Sequence, residues 1–337
     1  PELASVFTQT KDIRRILHDL AFYTGVPIEA GRTLLFFDEI QECPDALNTL
    51  KYFDEDAPEH HVIAAGSLLG VALKRNGSGF PVGKVHFLQM HPVTFREYLR
   101  SADTVLFSQT EALVAEQATL PDTIFNQLLQ HYHIYQLCGG MPRATSAYLD
   151  GAGADAVEEI LSDILNAYAA DFSKYADNKD VPRIHDIWRS IPSQLSRENK
   201  KFIFGAVKSG ARASYFDNAL QWLQDAGLIY KVENIRQVEL PLKFFANRDI
   251  FKVFMLDVGL LGAMTLASPD EMLVKDNVFS SFKGAFTENY VLGQMKAIED
   301  IHTYYYSKPN STLEIDFLCQ IDGNIVPIEV KAEVNVK

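Results

Sequence analysis

The chain has 337 residues, of which 47% are hydrophobic and 22% charged, and its formal net charge is −13. These proportions are typical of a folded protein and exclude a disordered or fibrous chain. The length suggests two or three domains. The acidic balance argues against a general binder of nucleic acids or anionic membranes, so any nucleic-acid contact should be local.

The spacing of the cysteines and the lack of a long apolar run indicate where in the cell the protein acts. Cys43, Cys138 and Cys319 lie far apart without a C-x-x-C spacing, which argues against a disulfide framework or a zinc site. No apolar run reaches the roughly 18 residues of a membrane span. We therefore predict a cytoplasmic protein without a membrane partner. The chain begins at Pro1 without an initiator methionine, and we expect further residues upstream.

The first hundred residues alternate helical patterns with short apolar strands. Apolar residues predict helices at 11–23, 45–53 and around 95–98, and strands at 33–38, 62–65 and 84–89. Apolar strands that alternate with helices predict a parallel sheet covered on both faces. Residues 1–100 are therefore expected to form an α/β domain.

Two carboxylates follow the first strand directly. In P-loop ATPases a carboxylate at this position helps to hold Mg²⁺, so Asp38 is a candidate ligand of Mg²⁺ bound with ATP. Glu39 could accept a proton from the attacking water. Ser67 follows the next strand and should lie at the same edge of the sheet, where ligands of such sheets bind. The alternative is a buried strand that meets an acidic surface loop.

Several segments together resemble a known family. They are residues 33–41, 65–70, 80–85, 90–98 and 139–142. The chain resembles bacterial and archaeal ATPases of the AAA+ class that carry a C-terminal domain of unknown function, DUF4143. The resemblance implies ATP and Mg²⁺ as cofactors, Asp38 as the magnesium-side acid, Glu39 as the water activator and Ser67 as the sensor.

The resemblance also bears on Lys84 and on a phosphate-binding loop. Many relatives have arginine where this chain has Lys84, and an arginine there could act as a catalytic finger, although lysine lacks its bidentate fork. The motif G-x-x-x-x-G-K-[ST], which cradles phosphates, does not occur in the 337 residues. We expect an upstream segment to carry it, and we expect this chain alone to bind ATP poorly or not at all.

The middle of the chain is predicted to be helical. Long helical patterns at 124–137 and 156–168 indicate a lid-like region over residues 101–180. Within residues 181–250, a helix, a turn and a helix are followed by a strand at 228–232, an order that suits a winged helix.

The predicted winged helix carries charges of both signs. Lys200 and Lys208 near its start could approach the phosphates of a nucleic acid. Asp217 and Asp225 follow along the candidate recognition helix and would repel DNA. A nucleic-acid partner and a packing role therefore both stay open.

The C-terminal residues 251–337 contain a predicted hairpin. Two alternating runs flank Asp322-Gly323, a two-residue turn signal, so the numbers of facing residues should sum to 645. This register predicts that Asp316 faces Glu329 and that Lys331 faces Glu314. The opposite face is predicted to be core; it comprises Ile315, Phe317, Ile328 and Val330.

The polar face of this hairpin is similar to the site of the PD-(D/E)XK nucleases. Asp316 and Glu329 would hold a divalent metal ion, Lys331 would steady the attacking water, and Glu288 is placed like the acid on the preceding helix of those folds. The alternative is a polar face neutralised by cross-strand ion pairs.

The leading functional hypothesis is an AAA+-like enzyme that binds a nucleotide and hydrolyses ATP with Mg²⁺. Its expected parts are an α/β ATPase domain, a helical and winged-helix middle, and an α+β domain like a restriction endonuclease. The alternative is a metal-dependent nuclease or nucleic-acid adaptor with a regulatory ATPase half. A module that binds a protein partner is a third possibility.

Overall fold

The structure is a computed structural model that describes residues 3–67, 70–71, 83–197, 199–265, 280–308 and 313–332. Parts of two segments that carry the family resemblance, residues 68, 69 and 80–82, lie outside these ranges. The chain divides into two compact units. The first contains Pro1–Met90 with Asp225–Gly227, and the second contains His91–Gln224 with Leu228–Lys337.

The first unit is an α/β arrangement around two parallel strands. Its elements are α1 (Ala4–Gln9), α2 (Ile13–Thr24), β1 (Leu34–Phe37), a 3₁₀ turn (Ile40–Glu42), α3 (Pro44–Asp56) and β2 (His61–Ala64). Leu34 pairs with His61 and Phe37 pairs with Ala64. The helices pack on one face of the strands, where Leu35 and Phe53 are buried in a common core. These elements confirm the helices predicted at 11–23 and 45–53 and the first two predicted strands.

The other face of this sheet is exposed. Leu34, Phe36 and Ile63 are 53%, 57% and 50% exposed. The prediction of a sheet covered on both faces is therefore wrong for the described part of this unit, because its helices lie on one side.

The third predicted strand, at residues 84–89, is also absent. The structure shows a turn at Lys84 and no strand over residues 85–90. The apolar side chains of Phe87 and Leu88 are 65% and 79% exposed. An apolar run forms a strand only where another strand takes its backbone hydrogen bonds, and no described strand pairs with this segment.

The second unit begins with helices, and none of its described residues before 229 lies in a strand. The helices are α4 (Phe95–Ala102), α5 (Thr104–Ala115), α6 (Asp122–Cys138), α7 (Pro142–Leu149), α8 (Ala154–Tyr175), α9 (Val181–Leu195), α10 (Phe204–Val207) and α11 (Ala213–Asp225). This confirms the helical pattern that the sequence predicts for this region.

A five-stranded sheet follows in the second unit. Its elements are β3 (Ile229–Ile235), β4 (Ala246–Met255), α12 (Val258–Thr265), α13 (Ser280–Lys296), β5 (Thr303–Ser307), β6 (Glu314–Ile321) and β7 (Asn324–Ile328). The strand order is β4-β3-β5-β6-β7, and the pair β3–β5 is parallel. The other pairs are antiparallel.

Two predictions about these strands are confirmed. Strand β3 enters an antiparallel hairpin with β4. The C-terminal hairpin turns at Asp322-Gly323, and Phe317 pairs with Ile328 in the predicted register. The winged helix and the nuclease-like fold stay predictions, as do the domain boundaries. The expected boundary between residues 250 and 251 falls inside β4.

The predicted core face of the hairpin is only partly buried. Phe317 is fully buried, whereas Ile315, Ile328 and Val330 are half-buried. The neighbours Leu318 and Cys319 are buried as well, so both faces of β6 pack against other elements. No helix in the described part of the chain is long and apolar enough to cross a membrane.

Candidate functional site

The ends of β1 and β2 are held together by backbone hydrogen bonds. The amide of Ala65 donates to the carbonyl of Phe37 at 2.8 Å, and the amide of Ile40 donates to the carbonyl of Ala65 at 3.0 Å. Between these contacts Glu39 adopts a left-handed conformation with φ of 51°. Such angles are uncommon outside glycine, and backbone strain of this kind clusters at functional sites.

The structure brings Glu39 and Ser67 together. The hydroxyl of Ser67 donates to Oε2 of Glu39 at 3.2 Å. Gln41 joins them: its Nε2 donates to the same Oε2 and lies 3.3 Å from Oγ of Ser67. Oε1 of Glu39 has no hydrogen-bond partner among the described residues. One carboxylate oxygen is therefore held, and the other is left available.

Gln41 and Gly66 complete this group, and the sequence reasoning missed both. The side chain of Gln41 is buried, and its Oε1 has no partner among the described residues. A Cβ atom on Gly66 would lie 2.2 Å from that Oε1, so only glycine leaves room for the amide. The position of Gln41, two residues after Glu39, does not by itself predict the contact, which depends on the left-handed φ of Glu39.

Asp38 lies beside this group with one carboxylate oxygen engaged. The amide of Glu39 donates to Oδ1 of Asp38 at 3.0 Å. Oδ2 makes no hydrogen bond to a described residue, and the side chain is exposed. Mg²⁺ prefers oxygen ligands and is often held by one or two carboxylates together with phosphates and water. Asp38 fits that requirement.

Lys84 is placed away from these residues. Its Nζ lies 2.9 Å from Oδ2 of Asp54 and 3.7 Å from Oε1 of Glu55, in the last turn of α3. The hydrogen bond to Asp54 is the main cause that raises the pKa of Lys84 above its ordinary value. The structure does not bring Lys84 to Glu39, and its catalytic role stays a prediction.

A second charged group lies in the C-terminal part of the second unit. Nζ of Lys252, on β4, lies 2.6 Å from Oε1 of Glu314 and 3.7 Å from Oε2 of Glu288. Lys200 also bonds to Glu288. Burial raises the pKa of Glu288, Lys252 and Lys200 oppose the rise, and Asp316 adds to it. Two ammonium groups therefore lie against Glu288, the acid that the nuclease-like pattern would place near a metal ion.

The predicted partners across the C-terminal hairpin are partly wrong. The predicted pair of Glu314 with Lys331 is not formed: Glu314 makes an ion pair with Lys252, and Lys331 makes one with Glu329. The strand pairing ends at Ile328, one residue before Glu329. Oδ2 of Asp316 accepts a hydrogen bond from the amide of Val330 at 2.8 Å.

The acids of the nuclease-like pattern still affect the pKa of its lysine. The pKa of Lys331 is raised, chiefly by the hydrogen bond to Glu329 and further by Asp316 and Glu288. Within the described ranges, no group of three or more His, Cys, Asp or Glu side chains is arranged to hold a metal ion. Metal binding by Asp316 and Glu329 stays a prediction.

Comparisons with protein families assign three segments. Residues 4–99 match the model of an AAA domain, residues 129–271 match a domain of unknown function (DUF8612), and residues 283–337 match a domain of unknown function (DUF4143). The site formed by Glu39, Gln41 and Ser67 lies within the AAA match. No curated protein sequence matches the chain.

A solved structure is also similar to the chain. It is described as the Walker-type ATPase PABY2304 of Pyrococcus abyssi. The two share 16% sequence identity with a TM-score of 0.45, over 76% of this chain and 67% of that one.

Proposed function

We propose that this chain, whose architecture joins an AAA domain to a DUF4143 domain, belongs to an enzyme that hydrolyses ATP with Mg²⁺. The AAA-domain match supports a general ATPase function. One observation carries the more specific proposal: within that match, Ser67 donates to the Glu39 carboxylate where two paired parallel strands end. Ligands of open α/β sheets bind at that edge.

The proposed chemistry assigns a separate task to each side chain. Glu39 takes a proton from the attacking water through Oε1, while Ser67 holds the carboxylate by Oε2. Asp38 would hold Mg²⁺ through its available oxygen. When bound, Mg²⁺ supplies positive charge that stabilises the phosphate oxygens. The 337 residues contain no motif of the form G-x-x-x-x-G-K-[ST], so the proposal assigns no residue to the phosphate cradle.

The substitution Glu39→Gln tests this proposal in the full-length protein. It keeps the shape of the side chain and removes the base, so we expect kcat for ATP hydrolysis to fall by about 10²–10⁴-fold while nucleotide binding persists. Phosphate release measures the first quantity, and titration with a fluorescent nucleotide measures the second. Glu29→Gln, an exposed change in the same unit, should leave both unchanged. Undiminished turnover in Glu39→Gln would remove Glu39 from the mechanism.

A metal-dependent nuclease in the C-terminal part is the alternative proposal. The hydrogen bond from the amide of Val330 to Oδ2 of Asp316 favours it, because it holds this acid beside the segment that carries Glu329 and Lys331. The ion pairs of Glu288 with Lys200 and Lys252 oppose it, because a bound metal ion would face two ammonium groups.

Incubation of the protein with plasmid and single-stranded DNA, in the presence of Mg²⁺ or Mn²⁺, separates the two proposals. Cleavage that disappears in Asp316→Ala would favour the nuclease. The absence of both cleavage and DNA binding would leave the ATPase proposal alone.

A further inference from the structure

The hydrogen bonds around Glu39 meet on a single atom. Both Ser67 and Gln41 direct their donors to Oε2. A carboxylate held by two donors on one oxygen cannot rotate freely about its terminal bond, because rotation would break both bonds. The other oxygen is thereby kept in one place. Precise placement of a reacting atom is a major source of catalytic rate.

The environment of Gln41 is unfavourable for a residue whose task is only packing. Its amide is buried, and its Oε1 finds no donor among the described residues. A buried polar atom without a partner costs stability, and an apolar side chain of similar size would avoid that cost. The favourable contacts of the amide are those made by Nε2, to Glu39 and Ser67.

The surrounding backbone is shaped to admit this amide. Gly66 leaves the space that Oε1 of Gln41 occupies, since a Cβ atom there would lie 2.2 Å away. The left-handed conformation of Glu39 begins the 3₁₀ turn that contains Gln41. A glycine and a strained residue thus both favour one position of the Gln41 side chain.

We infer that Gln41 is a positioning residue, which holds the Glu39 carboxylate by Oε2 together with Ser67 and so presents Oε1 to the attacking water. The inference rests on the proposed ATPase function. Gln41 itself touches no reacting atom; it acts through Glu39.

The substitution Gln41→Met tests the inference, because methionine has a similar volume and no donor. In the full-length protein, kcat for ATP hydrolysis should fall about tenfold to a hundredfold, as expected for loss of a hydrogen bond to a charged group. KM should change by less than about threefold, since the change affects a step after binding. The melting temperature should be unchanged or higher, because the unpartnered Oε1 is removed.

A double variant distinguishes positioning through Glu39 from a general structural effect. If Gln41 acts only through Glu39, Gln41→Met should cause no further loss of kcat in the Glu39→Gln background. A structural effect would reduce the rate by the same factor in both backgrounds. Gln9→Met, the same exchange at an exposed position of α1, should leave kcat unchanged. If Gln41→Met does not fold, Gln41→Leu takes its place in each measurement.

The outcomes separate this inference from the proposed function. A wild-type protein without ATPase activity, or Glu39→Gln with full activity, would overturn the proposed function and the inference with it. Wild-type activity that Glu39→Gln abolishes but Gln41→Met leaves within twofold would overturn the inference alone. An equal loss from Gln41→Met in both backgrounds would also overturn it.

Discussion

Gly66 is required by the side chain that it faces rather than by its own backbone angle. Its φ does not lie in the left-handed range, unlike that of Gly25 or Gly31. A methyl group at Gly66 would instead collide with Oε1 of Gln41, the far end of a flexible side chain. That side chain can move aside at little cost, but its amide then leaves Glu39.

We therefore expect Gly66→Ala to change activity more than stability. The free energy of unfolding should change by less than about 1 kcal/mol, because a flexible side chain absorbs the collision. kcat for ATP hydrolysis should fall about tenfold or more, as the hydrogen bond from Gln41 is lost. Urea denaturation and phosphate release measure the two effects. Gly205→Ala, with open space around its Cβ, is the control; equal activity in the two variants would contradict the expectation.

The residues of the candidate site were predictable in part. Asp38, Glu39 and Ser67 could be identified because each follows an apolar strand, and parallel strands end at one edge. Gln41 could not, because its contact with Glu39 depends on the left-handed φ of Glu39. Non-glycine residues rarely adopt that conformation, and no local pattern here predicts it.

At the scale of elements, the first turn of α12 depends on a buried aspartate. Oδ1 of Asp257 accepts the amide of Leu260 at 3.0 Å, and Oδ2 accepts the amide of Gly140 at 2.7 Å. Burial raises the pKa of Asp257, and these backbone donors oppose the rise. One carboxylate thus caps a helix and fixes the Gly139-Gly140 turn between α6 and α7.

Asp257→Ala should destabilise the protein by about 2–4 kcal/mol. The loss combines a helix cap, worth about 0.5–2 kcal/mol, with a buried amide left unpaired, which costs about 1–3 kcal/mol. Asp103→Ala is the matched control, because Asp103 caps α5 through Leu106 and makes no second contact of this kind with a described residue. Asp103→Ala should lower the free energy of unfolding only by the value of a helix cap, about 0.5–2 kcal/mol. Urea denaturation of both variants compares them, and equal losses would show that the Gly140 contact is unimportant.

Helices, strands and turns were predicted correctly where the local sequence pattern determines them. The C-terminal hairpin has its predicted register because a two-residue turn at Asp322-Gly323 fixes which residues face each other. The strand predicted at 84–89 is absent because apolar composition alone does not supply a pairing strand. The contact of Glu314 with Lys252 was missed because Lys252 lies on a strand distant in sequence.

At the scale of the molecule, the sheet of the second unit brings together strands that lie far apart along the chain. Ile235 of β3 is fully buried against Leu242 and against Leu318 of β6. The parallel pair β3–β5 has no local sequence signal, since Glu233 pairs with Tyr304 across a long intervening segment. Sequence reasoning therefore assigned the two hairpins to different domains.

Ile235→Ala should loosen the whole sheet. Truncation of a fully buried isoleucine typically costs about 2–5 kcal/mol. Because β3 pairs with both β4 and β5, we expect faster amide hydrogen exchange in β6 and β7 as well as in β3 and β4. Ile321→Ala, at an exposed position of β6, is the control and should cost less than about 1 kcal/mol. Faster exchange restricted to β3 and β4 would show that the hairpins open independently.

The parallel pairing of β3 with β5 also limits how the protein can be divided for expression. A fragment that starts where the DUF4143 match starts, at residue 283, keeps β5 to β7 and discards β3. Its β5 would present unpaired amides and carbonyls along an open edge, a feature that promotes aggregation. A fragment that begins at His91 keeps every strand of that sheet together.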